Sequence, residues 1–258
     1  MSGRFSTLLV FGLRHLLGAR KVIIAALLAL LPASIAVLVR CFAPPGAIDE
    51  FLKEGMPSVL MASCGLMSLF IGSGCVRDLL EERTLPLLLT RPLGRRTLCA
   101  GLLAAALSAS VALAGLSAII AYGVASAGDV LVTDVPGPGR LVVTMGLLTA
   151  LHTLLFACVG LQFRRSTIVS VVILGVLDAG IGSAPGPLRR IAPTAIAEGM
   201  LGQEWTTRMK LGSEELYGFS ASAATVMYVA EIAVLGWWFL RRARRMDFLA
   251  TEVEASVK

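Results

Sequence analysis

From Thr97 to Ala127 the chain runs 31 residues without one Asp, Glu, Lys, Arg or His. Such a stretch has no polar face to turn to water. In lipid, its backbone amides find partners only inside a helix. At 1.5 Å per residue that helix is about 46 Å long, against a hydrocarbon core of roughly 30 Å. The excess predicts tilt, a protruding end, or a break near Gly115 or Gly123. Five further runs are apolar over similar lengths: Val22–Val39, Met56–Val76, Leu141–Phe163, Ser166–Ala184 and Ser220–Leu240. Only 16% of the residues are charged, where soluble domains carry about a quarter. The sequence therefore predicts an all-α, polytopic membrane protein with six transmembrane helices in one transmembrane domain.

The segments between the runs are short. Ser2–Lys21 places Phe5, Leu8, Leu9, Leu13, Leu16 and Leu17 at helical spacing, with Arg4, Arg14, His15 and Arg20 elsewhere. That pattern predicts an amphipathic helix lying in the membrane interface. Val22–Val39 is longer than a signal-peptide core and ends at Arg40-Cys41 without a small-residue cleavage pattern, so it reads as a retained span. Pro32 should kink it. The loop over residues 185–219 is the longest outside the spans, and with its apolar-periodic run Ile191–Leu201 it predicts one or two short helices folded over the outer mouth of the bundle or partly re-entrant. No linker is long enough to hold a soluble domain.

With six spans both termini share a side. That side carries 16 of the 23 basic residues, counting residues 1–21, 77–96, 164–165 and 241–258. Basic loops stay in the cytoplasm, so both termini are expected there. The net charge of +6 is then a topology signal. The basic residues sit at span ends instead of forming one patch, which speaks against nucleic acid as a partner and for membrane lipids. The five cysteines contain no C-x-x-C pair, and four lie in or beside spans as small buried hydrophobes.

Absences narrow the chemistry. None of the four lysines precedes Ser or Thr, so no phosphate loop of the G-x-x-x-x-G-K-[ST] kind exists. The two histidines are 137 positions apart, which leaves no helix-borne zinc pair. No cofactor or metal is expected in this chain. His152, Asp178 and Glu231 are the ionisable residues within spans. Each is costly in lipid and is expected to face the bundle interior. They form a possible intramembrane polar site, either a proton relay as in a proton-coupled secondary transporter or a set of interhelical hydrogen bonds. Ser117, in Gly115-Leu116-Ser117-Ala118 on span three, could pair with His152 as a Ser–His dyad of an intramembrane serine hydrolase.

One polar island interrupts the first half, R-D-L-L-E-E-R-T-L-P-L-L-L-T-R-P-L-G-R-R over Arg77–Arg96. Its start can continue span two as a helix, with Arg77 and Glu81 paired at i, i+4, before Pro86 and Pro92 break it. Glu81, Glu82, Thr84, Leu85, Leu87, Leu88, Pro92, Leu93 and Arg95 fall in an order that resembles the segment between spans two and three of ABC-2 type transporter permeases. Arg83 stands where that family usually has Gly, and Cys99-Ala100-Gly101-Leu102 lacks its usual Gly-Lys. The resemblance extends to the six spans, the N-terminal interfacial helix, the larger loop before span six and the basic C-terminus. It implies a non-catalytic permease subunit whose cytoplasmic coupling helix, formed by Arg77, Asp78, Glu81, Glu82, Arg83, Thr84 and Leu85, docks on a separate ABC ATPase subunit. That partner would bind ATP and Mg. A second copy of this chain, or a paralogous permease, would complete the export pathway. The cargo is expected to be hydrophobic or amphipathic.

Overall fold

The computed structural model describes residues 2–18, 20–44, 51, 55–81, 95–126, 137–182, 189, 191–201 and 221–245. Among these residues the chain is almost entirely helical, with no strand. The α-helices are α1 (Ser2–Gly18), α2 (Arg20–Phe42), α3 (Met56–Glu81), α4 (Arg95–Ser126), α5 (Pro138–Gln162), α6 (Ser166–Leu174), α7 (Pro193–Leu201) and α8 (Ala221–Arg245). A π-helical segment, Gly175–Ile181, continues α6. Five helices (α2, α3, α4, α5 and α8) are long and apolar enough to cross a bilayer. The protein is a multi-pass membrane protein.

The fifth expected span differs. Its apolar helix covers Ser166–Ile181, sixteen residues where about 20 are needed to cross the core. Of the three outcomes expected for span three, the break is ruled out: α4 is an unbroken helix through Gly115 and Gly123. Arg40 at the end of α2 donates to Val124 O at 2.9 Å, satisfying one of the carbonyls left without an intrahelical partner at the end of α4. Pro32 lies inside α2 without ending it.

Close contacts fix the direction of each helix. Ser117 Oγ donates to Ala29 O at 2.5 Å, which together with Arg40–Val124 makes α2 and α4 parallel. Thr153 Oγ1 donates to Ser110 Oγ at 3.0 Å, while Gly115 faces Val142, so α5 is antiparallel to α4. A β-carbon on Gly72 would stand 2.6 Å from Thr153 O, and one on Gly160 would stand 2.8 Å from Ser73 O. Only glycine lets the backbones of α3 and α5 come that near, the device by which helices gain contact in lipid. These contacts make α3 and α5 parallel. Cys158 Sγ lies 3.8 Å from Leu235 O, and further along both helices Gln162 lines a cavity with Arg241 and Arg242, so α8 runs alongside α5 in the same direction. The starts of α2, α4 and α6 and the ends of α3, α5 and α8 thus gather at one end of the bundle. Arg96, Arg164, Arg165, Arg241, Arg242 and Arg244 are there, and it is called the basic end below.

The N-terminal helix forms, but it does more than float in the interface. Leu8, Gly12 and Leu16 make a buried stripe on α1, and a β-carbon on Gly12 would meet Ala105 Cβ at 2.8 Å. Gly101 offers the reciprocal gap to Leu8, at 2.9 Å. So α1 is packed onto α4 through two glycines, with Val10 and Phe11 left exposed.

Candidate functional site: a polar layer at mid-height

Residues Phe163–Arg165 form the turn between α5 and α6. Two antiparallel helices leaving one turn bring residues equally distant from it to the same height. His152 and Asp178 lie thirteen residues to either side of Arg165, and the structure places His152 Nε2 3.0 Å from Asp178 Oδ2. His152 is 1% exposed and Asp178 15%. The approach is an ion-pair distance without hydrogen-bond alignment, for neither imidazole nitrogen has a hydrogen-bond partner. The ring is instead stacked on Phe156, with centroids 5.7 Å apart.

Backbone geometry aims the carboxylate. Asp178 sits inside the π-helical segment, where Gly182 N donates to Leu177 O, five residues back. One extra residue per turn rotates everything beyond it relative to a continuous α-helix, and single π turns are frequent at functional positions. Gly65 on α3 leaves the space into which Leu174 and the Asp178 carboxylate project.

The other side of the carboxylate is closed by α7. Thr194 Oγ1 lies 3.4 Å from Asp178 Oδ1, in the first turn of α7, where unpaired amides and the helix dipole favour negative charge. Gly182 is packed so tightly against Asp178 O and Thr194 Oγ1 that a β-carbon would overlap both. Tyr228 on α8 is fully buried and donates to Pro193 O. At its far end α7 is held by Arg140, whose Nε donates to Met200 O at 2.5 Å. Within the loop, Arg189 pairs with Glu198. The helix is therefore tied to the start of α5, to α8 and to the π-helical segment at once.

These contacts lie at one height. Ser110, Thr153, His152, Asp178, Thr194 and Tyr228 come from α4, α5, the π-helical segment, α7 and α8. From His152 to the end of α5 at Gln162 is ten residues, about 15 Å of helix, half of a ~30 Å core. A mid-membrane layer of this kind can hold a charge or proton away from water, because the low dielectric there makes each polar contact strong and each unmet one costly.

Of the three ionisable residues expected to face inward, two meet. Glu231, on α8 and three residues from Tyr228, is half-buried and makes no hydrogen bond or ion pair among the described residues. Ser117 does not meet His152. Its hydroxyl is given to Ala29 O, and it lies seven residues beyond Ser110, the residue level with Thr153, or about 10 Å along α4. Sequence reading did not find Thr194 or Tyr228. Thr194 follows a proline at a helix start, a common start signal, but nothing in the sequence says that this start faces Asp178.

The coupling segment is described only at its beginning. Helix α3 runs without interruption from Met56 through Arg77 and Asp78 to Glu81. Arg77 and Asp78 are half-buried, and neither is without a partner. Glu82, Arg83, Thr84 and Leu85 lie outside the described residues. Among the described residues, no group of three or more His, Cys, Asp or Glu side chains is placed to hold a metal ion. In comparisons with known proteins, no family model and no curated sequence matches this chain.

Proposed function

We propose that this chain is the transmembrane permease subunit of an ATP-driven exporter of the ABC-2 type, with six crossings and both termini in the cytoplasm of a bacterial cell. The carrying observation is α3. The most buried crossing of the bundle continues as one rigid helix past Val76 and into the charged segment as far as Glu81. A force applied at Arg77–Glu81 is therefore delivered to the centre of the bundle, because a helix moves as a body while loops absorb displacement. In this reading the partner is a separate ATPase, which binds ATP and Mg and grips the segment beginning at Arg77, Asp78 and Glu81 and ending near Leu85. The fifth crossing is made in two pieces. Ser166–Ile181 rises from the basic end to mid-height, and Pro193–Leu201 covers the remaining depth from Asp178 to Arg140. Broken helices meeting at mid-membrane are a usual way of building a transport site. Two such bundles, from a second copy or a paralogue, enclose the path of a hydrophobic or amphipathic cargo.

Affinity purification of the tagged chain from its native membrane tests this. An ATPase with a phosphate loop is expected to co-purify, and Glu81→Lys with Glu82→Lys should release it. Retention of the ATPase by that double variant would remove the docking site, and absence of any ATPase from the wild type would remove the function.

One observation favours a second reading, a proton-coupled secondary transporter. His152 and Asp178 approach to 3.0 Å at mid-membrane, where an ionisable pair is a proton-relay candidate. Transport in vesicles separates the two readings. Export that follows ATP and ignores a collapsed pH gradient belongs to the first, and the reverse belongs to the second.

A further inference from the structure

At the basic end, between the α5–α6 turn and the end of α8, lies a cavity of about 470 Å³ lined by Gln162, Phe163, Trp238, Arg241 and Arg242. We propose that it binds the phosphodiester headgroup of an anionic phospholipid. Three features give it that character.

Its height is that of lipid headgroups. Gln162 ends the apolar helix α5, and Arg241 is the first charge after the apolar run of α8. Tryptophans collect at this depth because their rings suit the boundary between hydrocarbon and water. Trp237 is 59% exposed, and the Arg241 guanidinium stacks over it at 5.0 Å. That cation–π contact holds Arg241 at the membrane edge.

Its charge is of one sign. Two arginines line the cavity, and no carboxylate lines it among the described residues. Arg164, Arg165 and Arg244 are exposed nearby in the turn and on α8. Guanidinium forks match two oxygens of a phosphate at once, and basic pockets between helices at a membrane face suit anionic headgroups.

Its lining is amphipathic. Phe163 and Trp238 give apolar surface beside the arginines, so a glycerol backbone and the start of its acyl chains can rest where a small soluble anion would leave surface uncovered. A cavity of this volume lies within the usual range for small-ligand sites, about 300–1,000 Å³. The site stands whether or not the chain is a permease.

Quenching of tryptophan fluorescence by brominated lipid tests the proposal on the purified full chain in detergent. Brominated phosphatidylglycerol is expected to quench at a several-fold lower mole fraction than brominated phosphatidylcholine. Trp237→Phe with Trp238→Phe should remove the part of the signal specific to phosphatidylglycerol. Arg241→Gln with Arg242→Gln should bring the two lipids level, while Arg244→Gln keeps the preference. Circular dichroism checks that each variant is helical, and if the arginine double variant unfolds, the wild-type lipid comparison with the tryptophan double variant decides. Equal quenching by both lipids in the wild type would overturn the site. An unchanged preference in the folded arginine double variant would do the same. Displacement of brominated phosphatidylglycerol by millimolar inorganic phosphate would reassign the cavity to a soluble anion.

Discussion

Helices α3 and α8 have almost the same length and both are apolar, yet 78% of the crossing window of α3 is buried in the bundle and only 17% of that of α8. The difference lies in where their small residues face: each helix carries eight Ala, Gly or Ser, but on α8 Ala223, Ala230 and Ala233 are exposed. On α3, Gly65, Ser68, Gly72 and Ser73 fall on the sides turned toward α5 and the π-helical segment, and neighbours approach to backbone contact. On α8, Val226, Val229, Val234 and Trp237 point outward, and only Ala224, Tyr228, Phe239 and Ala243 are buried. In lipid, hydrophobicity does not drive helices together, since acyl chains are as apolar as leucine. Close approach does. Hydropathy places both helices in the membrane, and the helix whose small residues face its neighbours is the one at the centre.

The largest effect should come from filling that central contact. Gly72→Leu puts a side chain where Thr153 O already stands at 2.6 Å from an ideal β-carbon. Backbone cannot swing aside as a side-chain tip can, so α3 and α5 must separate. Overpacking of this type costs about 1–3 kcal/mol or more. A steep fall in the thermal midpoint of purified protein is expected, with Gly160→Leu behaving alike. Retention of wild-type stability by both variants would mean that the α3–α5 contact is looser than the structure has it.

Next in size is the polar layer that α3 makes room for. His152→Ala and Asp178→Asn, measured singly and together, should show coupling of roughly 0.6–1.7 kcal/mol, the range for polar pairs within membrane proteins. A side chain at position 194 reports the local consequence. Thr194→Cys should be poorly reactive toward a membrane-impermeant thiol reagent in the parent and more reactive once Asp178 is Asn, because the contact that closes α7 over the carboxylate is gone. Additive effects of the two substitutions would reduce the 3.0 Å approach to mere proximity.

What the sequence could say about this layer follows from the same physics. Long apolar runs must be helices in lipid, and the ends of the five long helices lie within a few residues of the expected limits, apart from the extensions of α3 to Glu81 and α8 to Arg245. The fifth run reads as a full span because Asp178 is the single charged residue between Ser166 and Ala184. The neighbours of its π-helical part, Gly65 beside Leu174 and Thr194 beside Asp178, are tertiary facts that the run itself does not carry. The His152–Asp178 pair, by contrast, was within reach: a tight turn at Arg164–Arg165 makes residues thirteen positions to either side neighbours. The tight packing of α1 onto α4 had a signal too, in Gly12 and Gly101, but glycines are common in membrane helices and two of them do not name each other.

A smaller effect should follow from Ser117→Ala on α4. The hydroxyl gives its proton to Ala29 O across the α2–α4 contact, and hydrogen bonds between helices in membranes average about 0.6 kcal/mol. A loss of that order is expected, with transport intact. Abolished activity in a stable Ser117→Ala protein would restore a chemical role to this serine, since a packing role predicts no such loss.

The smallest effect is expected on α8, and it turns the comparison into a test of what lies beside that helix. A β-carbon on Gly236 would meet nothing within 4 Å, so Gly236→Ala fills space now given to lipid and removes the flexibility that glycine brings to a helix. The substitution should leave stability unchanged or raise it by up to about 0.5–1 kcal/mol. This holds for the single chain in detergent. In membranes, a second copy packed on the exposed face of α8 would place its own backbone near Gly236, and alanine there would then weaken association. Chemical crosslinking of the wild type and Gly236→Ala in native membranes separates the cases: equal dimer yield leaves α8 facing lipid at this position, and a reduced yield with unchanged monomer stability makes the least buried helix of the bundle the face that pairs.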